Sequence, residues 1–130
     1  MKRSIAIAVA ATVLLAPAAA LAHHSYSMFD TTKEVEFKDA TVKEWQWTNP
    51  HTWLYLYVPN GTASPDKVSI EGNNPGVLRR SGYGIATFKP GDKVTVYARP
   101  LLNGEKGGAL LAVTLPDGRM LGQRLQKPVQ

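Results

Sequence analysis

The chain has 130 residues, with 15 Lys and Arg against 10 Asp and Glu, three His and no Cys. Without cysteine there is no disulfide, no thiol nucleophile, no thiolate metal ligand and no lipid-modified cysteine. The positive surplus is mild and scattered, with Arg79-Arg80 the one adjacent pair after residue 22, so a nucleic-acid partner has little support.

Lys2 and Arg3 precede an uncharged apolar run from Ile5 to Leu15 and then Ala20-Leu21-Ala22, the form of a secretory signal with its cleavage site. The run is shorter than the roughly 20 apolar residues that cross a bilayer as a helix. Residues 1–22 are therefore expected to be removed, leaving 23–130 as one soluble domain, periplasmic or secreted, with no membrane insertion. The mature chain carries 13 basic and 10 acidic side chains, a charge of +3. With about 108 residues and no disulfide it must be held by its core, so most of its Trp, Tyr and Phe are expected inside.

From Lys33 to Thr48 the apolar alternation changes phase twice, with Val35 and Phe37, then Ala40 and Val42, then Trp45 and Trp47. Each change predicts a bulge in a long, bent first strand. Thr48-Asn49-Pro50-His51 is a turn, and Thr52–Val58 a second strand, apolar or aromatic on both faces. A polar loop from Pro59 to Asp66 precedes a third strand, Lys67–Glu71. Asn73-Asn74-Pro75 provides an N-cap and a first-turn proline, and Gly82 and Gly84 a stop, so a short helix is predicted between them. Pro90-Gly91-Asp92 turns into a fourth strand, Lys93–Arg99. A loop from Pro100 to Gly108 leads to a fifth, Ala109–Leu115, ended by Pro116-Asp117-Gly118-Arg119, and the tail from Gln123 is expected to be disordered. A bent first strand and one helix between the third and fourth strands predict a mainly β, OB-fold-like, five-stranded, partly open barrel.

His23-His24-Ser25, Trp47-Thr48-Asn49-Pro50-His51, Lys89-Pro90-Gly91-Asp92 and Leu115-Pro116-Asp117-Gly118-Arg119 together resemble an uncharacterised family of small bacterial periplasmic proteins. The resemblance spans nearly the whole mature chain and implies an exported, compact domain. It supplies no activity and no catalytic residue.

All three histidines fall in these motifs. A histidine at position one of a mature chain chelates through its α-amine and its ring, and a second imidazole completes a three-nitrogen histidine brace. His23, His51 and His24 are thus the candidate metal ligands. Nitrogen donors without thiolate point to copper, with zinc next. Cleavage one residue earlier would put His24 third, still able to bind Cu(II), whereas cleavage after Ala20 weakens the case. Protons compete for an α-amine near roughly 8 and an imidazole near about 6.5, so binding should fade in mild acid. Against this stands the ordinary alternative that the first two histidines are a mobile end and His51 only bonds its own turn.

Trp53, Tyr55 and Tyr57 form the second candidate site, because both faces of one strand cannot be interior and OB-folds use exposed aromatics to stack ligands. Asp30, Glu44 and Glu71 show no spacing that marks an acid and base pair. There is no G-x-S-x-G elbow and no P-loop, and Asn60-Gly61-Thr62 reads as turn chemistry rather than a glycosylation site. The expected function is a non-enzymatic exported binding protein holding copper. The alternative is a module that binds a periplasmic protein, peptide or glycan without metal, and a copper oxidase acting on a polymer is a more remote third reading.

Overall fold

The computed structural model describes residues 26–126. The expected signal, His23, His24 and residues 127–130 lie outside it. Its strands are β1 (Val35–Gln46), β2 (Thr52–Val58), β3 (Asp66–Gly72), β4 (Lys93–Pro100), β5 (Gly107–Thr114) and β6 (Met120–Gly122), with one short helix, α1 (Pro75–Arg80), between β3 and β4. Among these residues no helix is long and apolar enough to cross a membrane.

β1 pairs antiparallel with both β2 and β4, β2 with β3, and β4 with β5. A parallel pairing of Ser69, Ile70 and Glu71 with Gly107, Gly108 and Ala109 joins β3 to β5. Five strands therefore close into a barrel with the OB-fold order. The expected barrel was partly open, and this parallel seam is what closes it.

β1 can serve two neighbours because it bends. Its register shifts between Phe37 and Ala40 and again between Val42 and Glu44, at both predicted phase changes. Asp39 takes a positive φ of 53° at the first shift, a conformation that suits the bulged residue. α1 starts as its punctuation predicts, with the Asn74 side chain accepting a hydrogen bond from the Val77 amide at 2.9 Å and Pro75 in the first turn. Leu78 of α1, with Tyr83 and Phe88 from the loop that follows, joins the interior cluster.

That interior is aliphatic rather than aromatic. Val42, Leu54, Leu56, Ile70, Val96 and Val113 are the largest apolar side chains fully removed from solvent. Phe37, Tyr83 and Phe88 are buried among them, but Trp45 and Trp47 only pack against the cluster from its margin. The expectation that most Trp, Tyr and Phe lie inside holds for the three Phe, Tyr83 and Tyr97 and is corrected for the three Trp, Tyr26, Tyr55 and Tyr57: a five-stranded barrel is narrow, and branched side chains of Leu and Val size fill it where indole rings would not.

Two features past the predicted last turn differ from expectation. Met120–Gly122 pairs with β5 as a sixth strand, and the chain beyond it is held. Gln123 donates its amide to the Leu111 carbonyl at 3.1 Å, Arg124 lies over the Tyr97 ring at 4.0 Å, and the Leu125 amide bonds Glu34 at 2.9 Å. The tail from Gln123 to Leu125 is therefore docked, because its cation and amide find a carboxylate and an aromatic face on the barrel wall.

Candidate functional site

β2 alternates cleanly. Thr52, Leu54 and Leu56 are buried, while His51, Trp53, Tyr55 and Tyr57 on the opposite face are partly exposed. Successive side chains of a strand point to opposite sides, so the histidine before β2 and the three aromatics along it share one outer stripe. The sequence reading kept His51 and the aromatic strand as separate candidates. The structure joins them.

The β2–β3 register continues the stripe sideways, setting Trp53 opposite Glu71, Tyr55 opposite Ser69 and Tyr57 opposite Lys67. Trp53 and Tyr55 stack with their rings 6.3 Å apart and 17° from parallel, and Lys43 places its ammonium 5.9 Å from the Tyr57 ring centre. Trp53 also lines a cavity of about 220 Å³ with Met28, Leu101 and Lys106, between this face and the β4–β5 loop. In an OB-fold, the β2–β3 face and the β1–β2 and β4–β5 loops are where extended ligands lie.

His51 is fixed at the top of the stripe by its turn and by β3. The Thr48 hydroxyl donates to the His51 carbonyl at 2.8 Å, closing the turn that delivers the ring. The ring itself does not bond its own backbone. Its Nδ1 lies 3.2 Å from Glu71 Oε1, with the histidine side chain 31% exposed and the glutamate only 11%. A carboxylate beside Nδ1 favours the tautomer protonated there, which leaves the lone pair of Nε2 for another partner. Metal-binding histidines are commonly oriented in this way by an outer carboxylate.

The beginning of the described chain arrives at the same place. Phe29 is 6% exposed and bridges to Leu101, the Asp30 amide bonds the Pro100 carbonyl at 2.8 Å, and the Leu102 amide bonds the Met28 carbonyl at 2.9 Å. These contacts lay residues 28–30 against the start of the β4–β5 loop. Tyr26, packed edge-on against Phe29 at 6.1 Å, then lines a narrow cleft with His51 and Glu71. Glu71 and Tyr26 were not singled out as site residues from sequence. The hairpin register could have indicated Glu71, because strands that pair Thr52 with Gly72 must bring residue 71 to the outer face beside residue 51.

The other acids have local tasks. Asp30 accepts from the Thr32 amide at 3.0 Å and from its hydroxyl, and these bonds hold its carboxyl below the usual carboxylate range. Glu44 accepts from the side-chain Nε2 of Gln46 at 2.8 Å. Among the described residues no three His, Asp or Glu side chains are grouped so as to hold a metal ion. His23 and His24, the other candidate ligands, lie outside the described residues.

Residues 10–110 match the model of a family of unknown function, as the motif resemblance implied for an uncharacterised family. No curated protein matches the chain, and no solved structure does.

Proposed function

The chain belongs to this family, DUF6152, which brings no chemistry with it; from its own residues we propose that it is an exported, periplasmic copper-binding protein. In this reading the α-amine and ring of His23, the Nε2 of His51 and, as a further donor, His24 hold Cu(II), and the protein carries the ion rather than catalysing a reaction. One observation carries the reading: the His51 ring is oriented by Glu71 at 3.2 Å in the cleft that Tyr26 lines. Tyr26 is three residue steps from His23, a span of at most about 11 Å when extended. The cleft is thus within reach of the expected mature N-terminus. Nitrogen donors without thiolate place Cu(II) first among the divalent ions.

The processed protein, purified without an affinity tag, is expected to bind one Cu(II) per chain. A form whose α-amine is acetylated should bind it more weakly, because the amine can then no longer share the ion with the imidazole. Equal affinity for the two forms, measured by competition with a chromophoric chelator, would exclude the N-terminal amine as a ligand and with it the brace.

The exposed stripe supports a second reading, an interaction module for a periplasmic protein, peptide or glycan. The stacked Trp53 and Tyr55 lie on the face where OB-folds seat extended ligands. Trp53→Ala should leave the unfolding temperature within a few degrees of wild type, since its ring is half exposed, yet abolish retention on the envelope glycan or protein it binds. Retention equal to that of wild type would remove the aromatic stripe from the binding function.

A further inference from the structure

A further groove of the described structure lies away from the aromatic face. It encloses about 570 Å³ between α1 and the outer sides of β5 and β6, a size that suits a small molecule. Its walls include Leu110, Leu111 and Leu121, and two arginines, Arg80 from the last turn of α1 and Arg99 from β4.

Several cations elsewhere on the described surface are already engaged. Arg124 is paired with Glu34, Arg119 with Asp117, Lys106 with Asp66 and Lys33 with Asp30, while Arg79 lies over the Trp47 ring. Arg99 differs. Its Nε is buried and, among the described residues, has no hydrogen-bond partner; it is the one buried side-chain nitrogen or oxygen in that condition. A buried donor in a native structure is nearly always satisfied, so this exception leaves hydrogen-bonding capacity unspent on a guanidinium that lines the groove. The two Nη of a guanidinium present a planar pair of N–H donors that fits the two oxygens of a carboxylate without needing the covered Nε.

From these observations we infer that the groove is a binding site for a small organic carboxylate whose acid group pairs with Arg99 and whose apolar body lies along Leu110, Leu111 and Leu121. Arg80 at the rim adds a second positive charge that attracts the acid group. Tyr83, whose hydroxyl burial pushes well above its ordinary range, remains a phenol and already donates to the Leu121 carbonyl at 3.1 Å. It shapes the wall without competing for the anion. The groove shares Tyr26, Asn73 and Leu110 with the His51 cleft but needs no metal.

The test uses octanoate as probe, with acetate and inorganic phosphate as comparisons, and EDTA present throughout so that copper takes no part. Octanoate is expected to bind with a Kd below about 1 mM and to shift the methyl resonances of Leu110, Leu111 and Leu121. Arg99→Met should weaken it at least about tenfold and Arg80→Gln about threefold, in line with loss of a charge-assisted fork and of a rim charge. Should Arg99→Met fail to fold, the wild-type methyl map and the exposed Arg80 variant decide the matter. Unchanged affinity in the folded Arg99 variant, an absence of shifts at those three leucines, or acetate binding as tightly as octanoate would each overturn the proposal. Phosphate binding more tightly than octanoate would overturn the choice of a carboxylate.

Discussion

Replacing Gly108 by alanine is expected to destabilise the protein by about 3 kcal/mol, the upper part of the range for forced overpacking. For a domain of this size that lowers Tm by roughly 12–24 °C. An added Cβ would stand 2.3 Å from the Arg99 carbonyl oxygen and 3.0 Å from the Ala98 Cβ. The first of these is backbone and cannot rotate away. Gly108 also pairs with Pro100 of β4 on one side and with Ile70 of β3 on the other, so moving it to relieve the clash opens the parallel seam that closes the barrel. Gly104→Ala in the preceding loop is the matched control. Gly104 has a positive φ of 80° but nothing within 4 Å of the added carbon, so only backbone strain of about 1 kcal/mol is expected there. Thermal unfolding of the two variants checks the contrast, and a Gly108 variant no less stable than the Gly104 variant would show that the seam is not tightly packed.

The same seam marks where sequence reading of the fold stopped. Local signals were legible because they are local. The phase changes of β1 became register shifts, and Asn74-Pro75 with the glycines beyond bounded α1 where the N-cap and C-terminal rules place them. Gly107 and Gly108 read as loop because glycine ordinarily weakens strands, whereas here two neighbouring backbones approach so closely that no side chain fits. β6 was missed for a different reason: three residues are too few to show a period, and its support comes from pairing with β5. The inner face of β2 could not be chosen from sequence either. Leucine and aromatic residues alternate, both sets are apolar, and only the bore of the closed barrel decides for Leu54 and Leu56 over Trp53 and Tyr55.

For the candidate sites, sequence motifs found single residues and the fold found their neighbours. His51 stood out beside Pro50, but the glutamate that orients it is 20 positions later on another strand. Arg99 carried no motif at all and read as the polar end of a strand. Its distinction is a buried Nε with no partner among the described residues, a property of the folded chain that no sequence pattern carries. The expected pairing of His23 with His51 lies across the boundary of the described residues, and chemistry has to test it.

His51→Ala is expected to weaken Cu(II) binding by more than about 100-fold, and Glu71→Gln by about 10–100-fold, the range found for partners that orient a ligand without touching the metal. The order follows from geometry. Removing the imidazole deletes a donor, whereas glutamine keeps the shape of Glu71 beside Nδ1 and removes the charge that holds the ring in place. Glu71 makes further contacts, so retaining its shape matters for the fold as well. Chelator competition gives the two affinities, and electron paramagnetic resonance of the bound Cu(II) counts the nitrogen donors in each variant. A His51 variant that keeps full affinity with an unchanged nitrogen count would mean that the N-terminal residues bind copper alone. A Glu71 variant as weak as the His51 variant would instead make the carboxylate a direct ligand, since an outer partner cannot cost as much as the donor it orients.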